Sequence, residues 1–232
     1  MAEGQVARTN GSNANGSGPR PDAHRGERIG EIVEASTTRF RAVASETFAP
    51  PAFGSFVKAI SDGRTTFGVV AHVEHASVDP SRRAVPLGRT WEEIHRDHPQ
   101  VLELLTTEFE AISVAFSEAG LMQAFLPPVP PRVHEFVDVC GVGEIRELTD
   151  DLTFVRTLGT CGLAVAGELV AAAIRAAAAA REGDRTFLLR AGREVADLYR
   201  QDYEQACAVI RRLGMRISGD SWRQPAAVVQ AR

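Results

Sequence analysis

The chain is poor in the residues on which several common chemistries depend. Its three cysteines, Cys140, Cys161 and Cys207, lie far apart and form no CxxC pair. That spacing suggests neither a disulfide framework nor a thiolate metal site, and it fits reduced thiols in a cytosolic protein. Lysine occurs once, as Lys58, among 26 Lys and Arg residues. A phosphate loop of the GxxxxGK[ST] type needs a lysine directly after its glycines, and Lys58 sits inside a strand-like run. The loop is therefore absent, and a nucleotide-driven motor is excluded. Gly141-Val142-Gly143 has no third glycine at the spacing of a dinucleotide fingerprint. No GxSxG elbow occurs, and Ser218-Gly219-Asp220-Ser221 has no strand before it or helix after it.

Long apolar runs are equally scarce. Residues 163–180 form the only extended one, and they are mostly alanine with Glu168 and Arg175 inside, which makes membrane insertion unfavourable. Residues 1–27 are rich in Gly, Ser, Asn, Pro and Arg, with no apolar segment of the kind a signal peptide carries. They read as a disordered leader. A cytoplasmic protein without membrane contact is the expectation.

Histidine pairs offer little. His72 and His75 are three apart on an expected strand, which sends them to opposite faces. His95 and His98 share a short expected helix with Glu93 and Asp97, but Pro99 interrupts it and no further Cys or His ligand lies nearby in sequence. Glu92-Glu93 and Asp150-Asp151 stand at expected helix starts, where capping accounts for them. No catalytic residue, cofactor-binding residue or metal ligand is assigned, and neither an enzyme nor a cofactor is expected.

What is present is a set of short strands. Asp62-Gly63 separates two β-rich runs and predicts a two-residue type I′ turn, which needs positive φ at both positions. With that turn, Phe56 pairs with Val69, Val57 with Gly68 and Lys58 with Phe67. Phe56, Phe67, Val69 and Ala71 then share a core face. Further strands are expected over 28–35, over 39–45 with Phe40, Ala42 and Ala44 alternating, over 65–78, 82–87 and 107–116, and as an extra strand over 134–140. A helix is expected over 91–97, with Thr90 as its N-cap, followed by a helical turn over 101–105. Several short strands with turn signals between them predict a small barrel.

Ile29-Gly30-Glu31-Ile32-Val33, Phe53-Gly54-Ser55-Phe56-Val57, Phe67-Gly68-Val69-Val70 and Leu104-Leu105-Thr106-Thr107-Glu108-Phe109, in that order, resemble a HAS-barrel protein. This is the six-stranded barrel shared by HerA-type helicases and rotary ATP synthase subunits. The resemblance covers roughly residues 28–120. It implies a stand-alone barrel without the ATPase domain, used for subunit assembly and docking, and it brings no catalytic residues.

Leu126-Pro127-Pro128-Val129-Pro130-Pro131 predicts a stiff polyproline II connection, so the expected layout is a barrel over 28–126, a linker over 127–131 and a mainly helical domain over 132–213. The fold class is α+β. Helices are expected over 143–148, 152–158, 163–181 and 184–213, the last two forming a hairpin through Glu182-Gly183 with Asp184 as cap. The long helix should place Leu188, Val195, Tyr199, Tyr203, Ala206, Ile210 and Leu213 on one face. Residues 214–232 read as a flexible tail.

Net charge is −4, carried by residues 28–131, with 0 on either side. Such a balance favours a neutral or basic partner surface. Arg211, Arg212, Arg216, Arg223 and Arg232 form a basic C-terminal group, a candidate contact for nucleic acid or an acidic partner. The tail has only Trp222 for base stacking. The leading expectation is a non-catalytic assembly or adaptor module that binds a protein partner or itself. An accessory nucleic-acid binder and an enzyme with an unrecognised site are the alternatives.

Overall fold

The structure, a computed structural model, describes residues 27–79, 81 and 83–214. The leader over 1–26, the tail from 215 onwards and the arginines at 216, 223 and 232 lie outside the described residues.

The described residues form seven strands and seven helices. The strands are β1 (Arg28–Ala35), β2 (Arg39–Ala44), β3 (Phe56–Ser61), β4 (Arg64–Ser77), β5 (Leu105–Glu118), β6 (Leu121–Gln123) and β7 (Phe136–Val139). Between β4 and β5 come the short helices α1 (Trp91–Asp97) and α2 (Pro99–Leu102). After β7 come α3 (Val142–Leu148), α4 (Thr153–Gly159), α5 (Ala166–Ala179), α6 (Arg185–Leu198) and α7 (Tyr203–Gly214).

The β3–β4 hairpin has the register read from its turn. Phe56 pairs with Val69, Val57 with Gly68 and Lys58 with Phe67, and Asp62 and Gly63 have φ of 53° and 77°. Strand β5 pairs with β4 on one side and β2 on the other, and β2 with β1. Strand β7 lies between β1 and β3 and closes a six-stranded antiparallel barrel, while β6 is an extra strand on β5. The expected barrel limit at 126 is therefore corrected. Its sixth stave comes after the prolines, so residues 127–131 connect strands of one sheet instead of leaving the barrel. The segment also bends at 128–129, with Pro127 and Pro131 buried, rather than running straight. No regular strand forms over the described residues of 82–87.

Two cores result from the alternation of side chains across β3, β4 and β5. Ile32, Phe40, Ala42, Val57, Val70, Phe109, Ala111 and Val137 fill the barrel interior. The face expected as core, with Phe56, Phe67, Val69 and Ala71, is buried, but it points outward. Helices α3–α7 cover it and add Phe154, Leu158, Leu169, Ile174, Phe187, Val195 and Val209 to a shared core. Both faces of this part of the wall are dry, as its nearly continuous apolar runs require. Helix α5 is buried almost all round, and its small alanines allow close approach. A Cβ on Gly54, which has φ +84°, would lie 2.3 Å from Ala172 Cβ. The barrel thus touches the helix at backbone distance.

Asp184 caps α6 by accepting from Thr186 N at 2.8 Å, and Glu182 and Gly183 turn the chain with positive φ. The long helix expected over 184–213 is broken. Helix α6 ends before Tyr199, and Asp202 starts α7 by accepting from Gln205 N at 2.9 Å. The break lets α7 fold back on α5, and it resets the buried faces to Phe187, Ala191 and Val195, then Ala206, Val209 and Leu213. Tyr203, expected on the apolar face, is 80% exposed.

Candidate docking surface

With the outer wall of β3–β5 under the helices, the barrel's free surface lies on β1, β2 and β7 and around the strand ends. What holds the helices in place is polar as well as apolar. Lys58 follows Phe56 on the outward face and is 2% exposed, and its Nζ donates to Glu144 Oε1 at 2.6 Å. Glu144 also accepts from Gly141 N at 2.8 Å, so one carboxylate caps α3 and ties it to β3. Gly141 is the N-cap of α3, and Gly143 lies in its first turn. The chain's one lysine thus forms an ionic link between barrel and helices. Cys140 beside it is buried, which pushes its thiol far above the usual range, helped by the Glu144 charge. It stays protonated and is a poor nucleophile.

At the free end of the β3–β4 hairpin is a cleft of about 320 Å³. Arg64 and Thr66 stand on one wall, and the proline segment with Val129, Pro130 and Arg132 on the other. The walls are joined at the tip, where Arg132 N donates to Ser61 Oγ at 3.0 Å and its guanidinium reaches Asp62 at 2.7 Å. Arg64 pairs with Glu118 at 2.7 Å and faces the Phe116 ring at 5.8 Å, and Phe125 meets the same ring edge-on at 5.4 Å. Val129 in the cleft is 51% exposed, and apolar side chains are also open on the outward face of β3 and β7, Ile60 at 42% and Phe136 at 44%, and before the prolines, Phe125 at 58%.

The opposite surface is closed by charge pairing. Glu74 lies directly across from Glu108, a destabilising pair of like charges. Arg41 relieves it from β2, standing 4.0 Å from Glu74, 3.7 Å from Glu108 and 3.8 Å from Glu110. His72 turns to Glu74 at 3.7 Å, whereas His75 bonds Thr107 Oγ1 at 2.8 Å and stacks on Phe48 at 4.9 Å. The two histidines have no common partner. His95 packs on Trp91 at 4.6 Å, and Glu93 completes a capping box with Thr90. Asp151 caps α4 through Thr153, and Asp150 pairs with Arg181 at 2.7 Å. Among the described residues no cluster of three or more His, Cys, Asp and Glu could hold a metal, and no helix is long and apolar enough to cross a membrane.

The basic C-terminal group is represented by Arg211 and Arg212 on α7. Arg211 is exposed, and Arg212 is engaged by Glu168 of α5. Arg216, Arg223 and Arg232 lie outside the described residues. Arg64, which lines the cleft, was not singled out from the sequence. Its position beside a predicted turn was legible, but its neighbours 118, 129 and 132 come from distant segments.

No protein-family model matches the chain, and no curated protein matches it.

Proposed function

We propose that this chain is a non-catalytic assembly or adaptor module, whose HAS-like barrel docks a protein partner or a second copy of itself at the hairpin end. One observation carries the reading. The helices bury one side of the barrel, yet Val129 in the cleft, and Ile60, Phe125 and Phe136 on the adjoining strands and segment, remain exposed. Partly exposed aromatic and aliphatic side chains beside a concave site are the composition of an interface core. The HAS-barrel resemblance supports the same use and suggests a HerA-type DNA-processing motor as one class of partner. In such motors the ATPase domain also holds the ring together. Here a helical layer stands in its place, so self-association should be limited to a monomer or small homo-oligomer.

The test is light scattering on the full chain, together with affinity capture, for the native protein and for an Ile60→Asp, Val129→Asp double variant. Both positions are exposed, so the fold should persist, as circular dichroism would verify. Loss of a captured partner or of self-association in the variant is expected. An unchanged set of partners and an unchanged mass would refute the assignment of this face.

A further inference from the structure

A guanidinium presents Nε and Nη2 as parallel donors along one edge, matched to the two oxygens of a carboxylate. In Arg64 that edge is half used. Nη2 donates to Glu118 Oε1 at 2.7 Å, while Nε is buried with no acceptor. A buried donor without a partner is costly and calls for an explanation. Glu118 is a poor holder of the site. Its side chain is 57% exposed, it precedes a turn at Ala119-Gly120 with positive φ at both residues, and it gives Arg64 one oxygen only. Arg132 on the other wall is similarly placed, bound to Asp62 with both side chains more than half exposed. The two arginines flanking the cleft are thus occupied by local carboxylates that water can reach and release.

We propose that the cleft seats an acidic peptide segment of a protein partner, one carboxylate of which takes both Nε and Nη2 of Arg64 and displaces Glu118. The proposal rests on the docking function above and names the chemistry of its partner. At about 320 Å³ the cleft stands at the small end of ligand sites and has room for one or two side chains. The open Val129 lines it, to take an apolar neighbour of the carboxylate. The net negative charge of residues 28–131 does not oppose this. It acts at long range on the partner's whole surface, whereas the donors in the cleft act at contact distance, where geometry decides.

The experiment uses the full chain with nitrogen-15 label, following arginine Nε–H signals by NMR. The probes are acetyl-Leu-Leu-Glu-Leu-amide, the same peptide with Gln for Glu, and sodium acetate. The Glu peptide should move the Arg64 signal and bind roughly tenfold tighter than the Gln peptide, about the discrimination a charge-assisted fork supplies over a neutral contact. Acetate at equal concentration should bind more weakly than the Glu peptide. Arg64→Lys keeps the charge but lacks the fork, and should erase the discrimination. Glu118→Gln removes the competing charge and should tighten the Glu peptide severalfold. Equal binding of the two peptides, no movement of the Arg64 signal, acetate matching the peptide, or weaker binding to Glu118→Gln would each overturn the proposal. If partner docking is lost in the Ile60, Val129 variant but persists in Arg64→Lys, the acidic site falls while the docking face stands.

Discussion

Gly54→Ala tests how the barrel and the helices are joined. Two effects act at this position and can be separated. Gly54 has φ +84°, and an L-residue in the left-handed region costs about 1–2 kcal/mol. The added methyl would also stand 2.3 Å from Ala172 Cβ and 2.9 Å from Ala172 C, so moving a side chain cannot relieve the clash. Strand or helix must shift, at a cost of about 1–3 kcal/mol for an overpacked core. The smaller entropy of an unfolded chain with alanine returns about 0.4–1 kcal/mol. The net expectation is a loss of about 1–4.5 kcal/mol, centred on about 3 kcal/mol. Gly63→Ala is the control, because Gly63 has φ +77° with nothing within 4 Å of a Cβ, and should cost about 1 kcal/mol through φ alone. The assay is urea unfolding followed by circular dichroism. With a slope of about 2–3 kcal/mol per molar, Gly54→Ala should lower the midpoint by about 1 M. Ala172→Gly in the same chain should recover part of the contact term but none of the φ term, giving a coupling of about 1 kcal/mol or more. A Gly54→Ala loss no larger than that of Gly63→Ala, or a double variant with no coupling, would refute the backbone-distance contact between the turn before β3 and α5.

Three further outcomes follow from the same structure. A chain ending at residue 126 lacks β7, leaves one edge each of β1 and β3 unpaired, and should give an unfolded or aggregating product by circular dichroism and light scattering, whereas a folded monomer would contradict the closure. Arg41→Ala should expose the repulsion between Glu74 and Glu108 and cost about 1 kcal/mol at low salt, shrinking as salt is added; a loss independent of salt in urea titrations would mean that packing, not charge, is at stake. Cys140 should resist a thiol reagent in the native protein at pH 8 while Cys161 and Cys207 react, because burial holds its thiol protonated; mass mapping that finds Cys140 modified as fast as the others would contradict this.

Local chemistry settled the elements, and chain-distant pairing settled how they are used. The Asp62-Gly63 turn dictated the β3–β4 register because a two-residue turn with both φ positive leaves no freedom in which residues face each other. Thr90 with Glu93 and Asp184 marked their helix starts for the same reason, since a cap acts within three residues. Asp202 with Gln205 carries a similar signal, hidden within an apolar repeat that reads as continuous across it. The closing role of β7 had no local mark, because four residues pairing with strands near 30 and near 58 are specified by both neighbours at once. For the same reason periodicity identified the Phe56, Phe67, Val69 face as buried but could not say whether barrel interior or helices would cover it. The cleft was legible only in parts, a turn and a run of prolines. That Arg64, paired with Glu118, and Arg132 line one cleft depends on the barrel bringing distant segments to one end, and that is decided by tertiary structure alone.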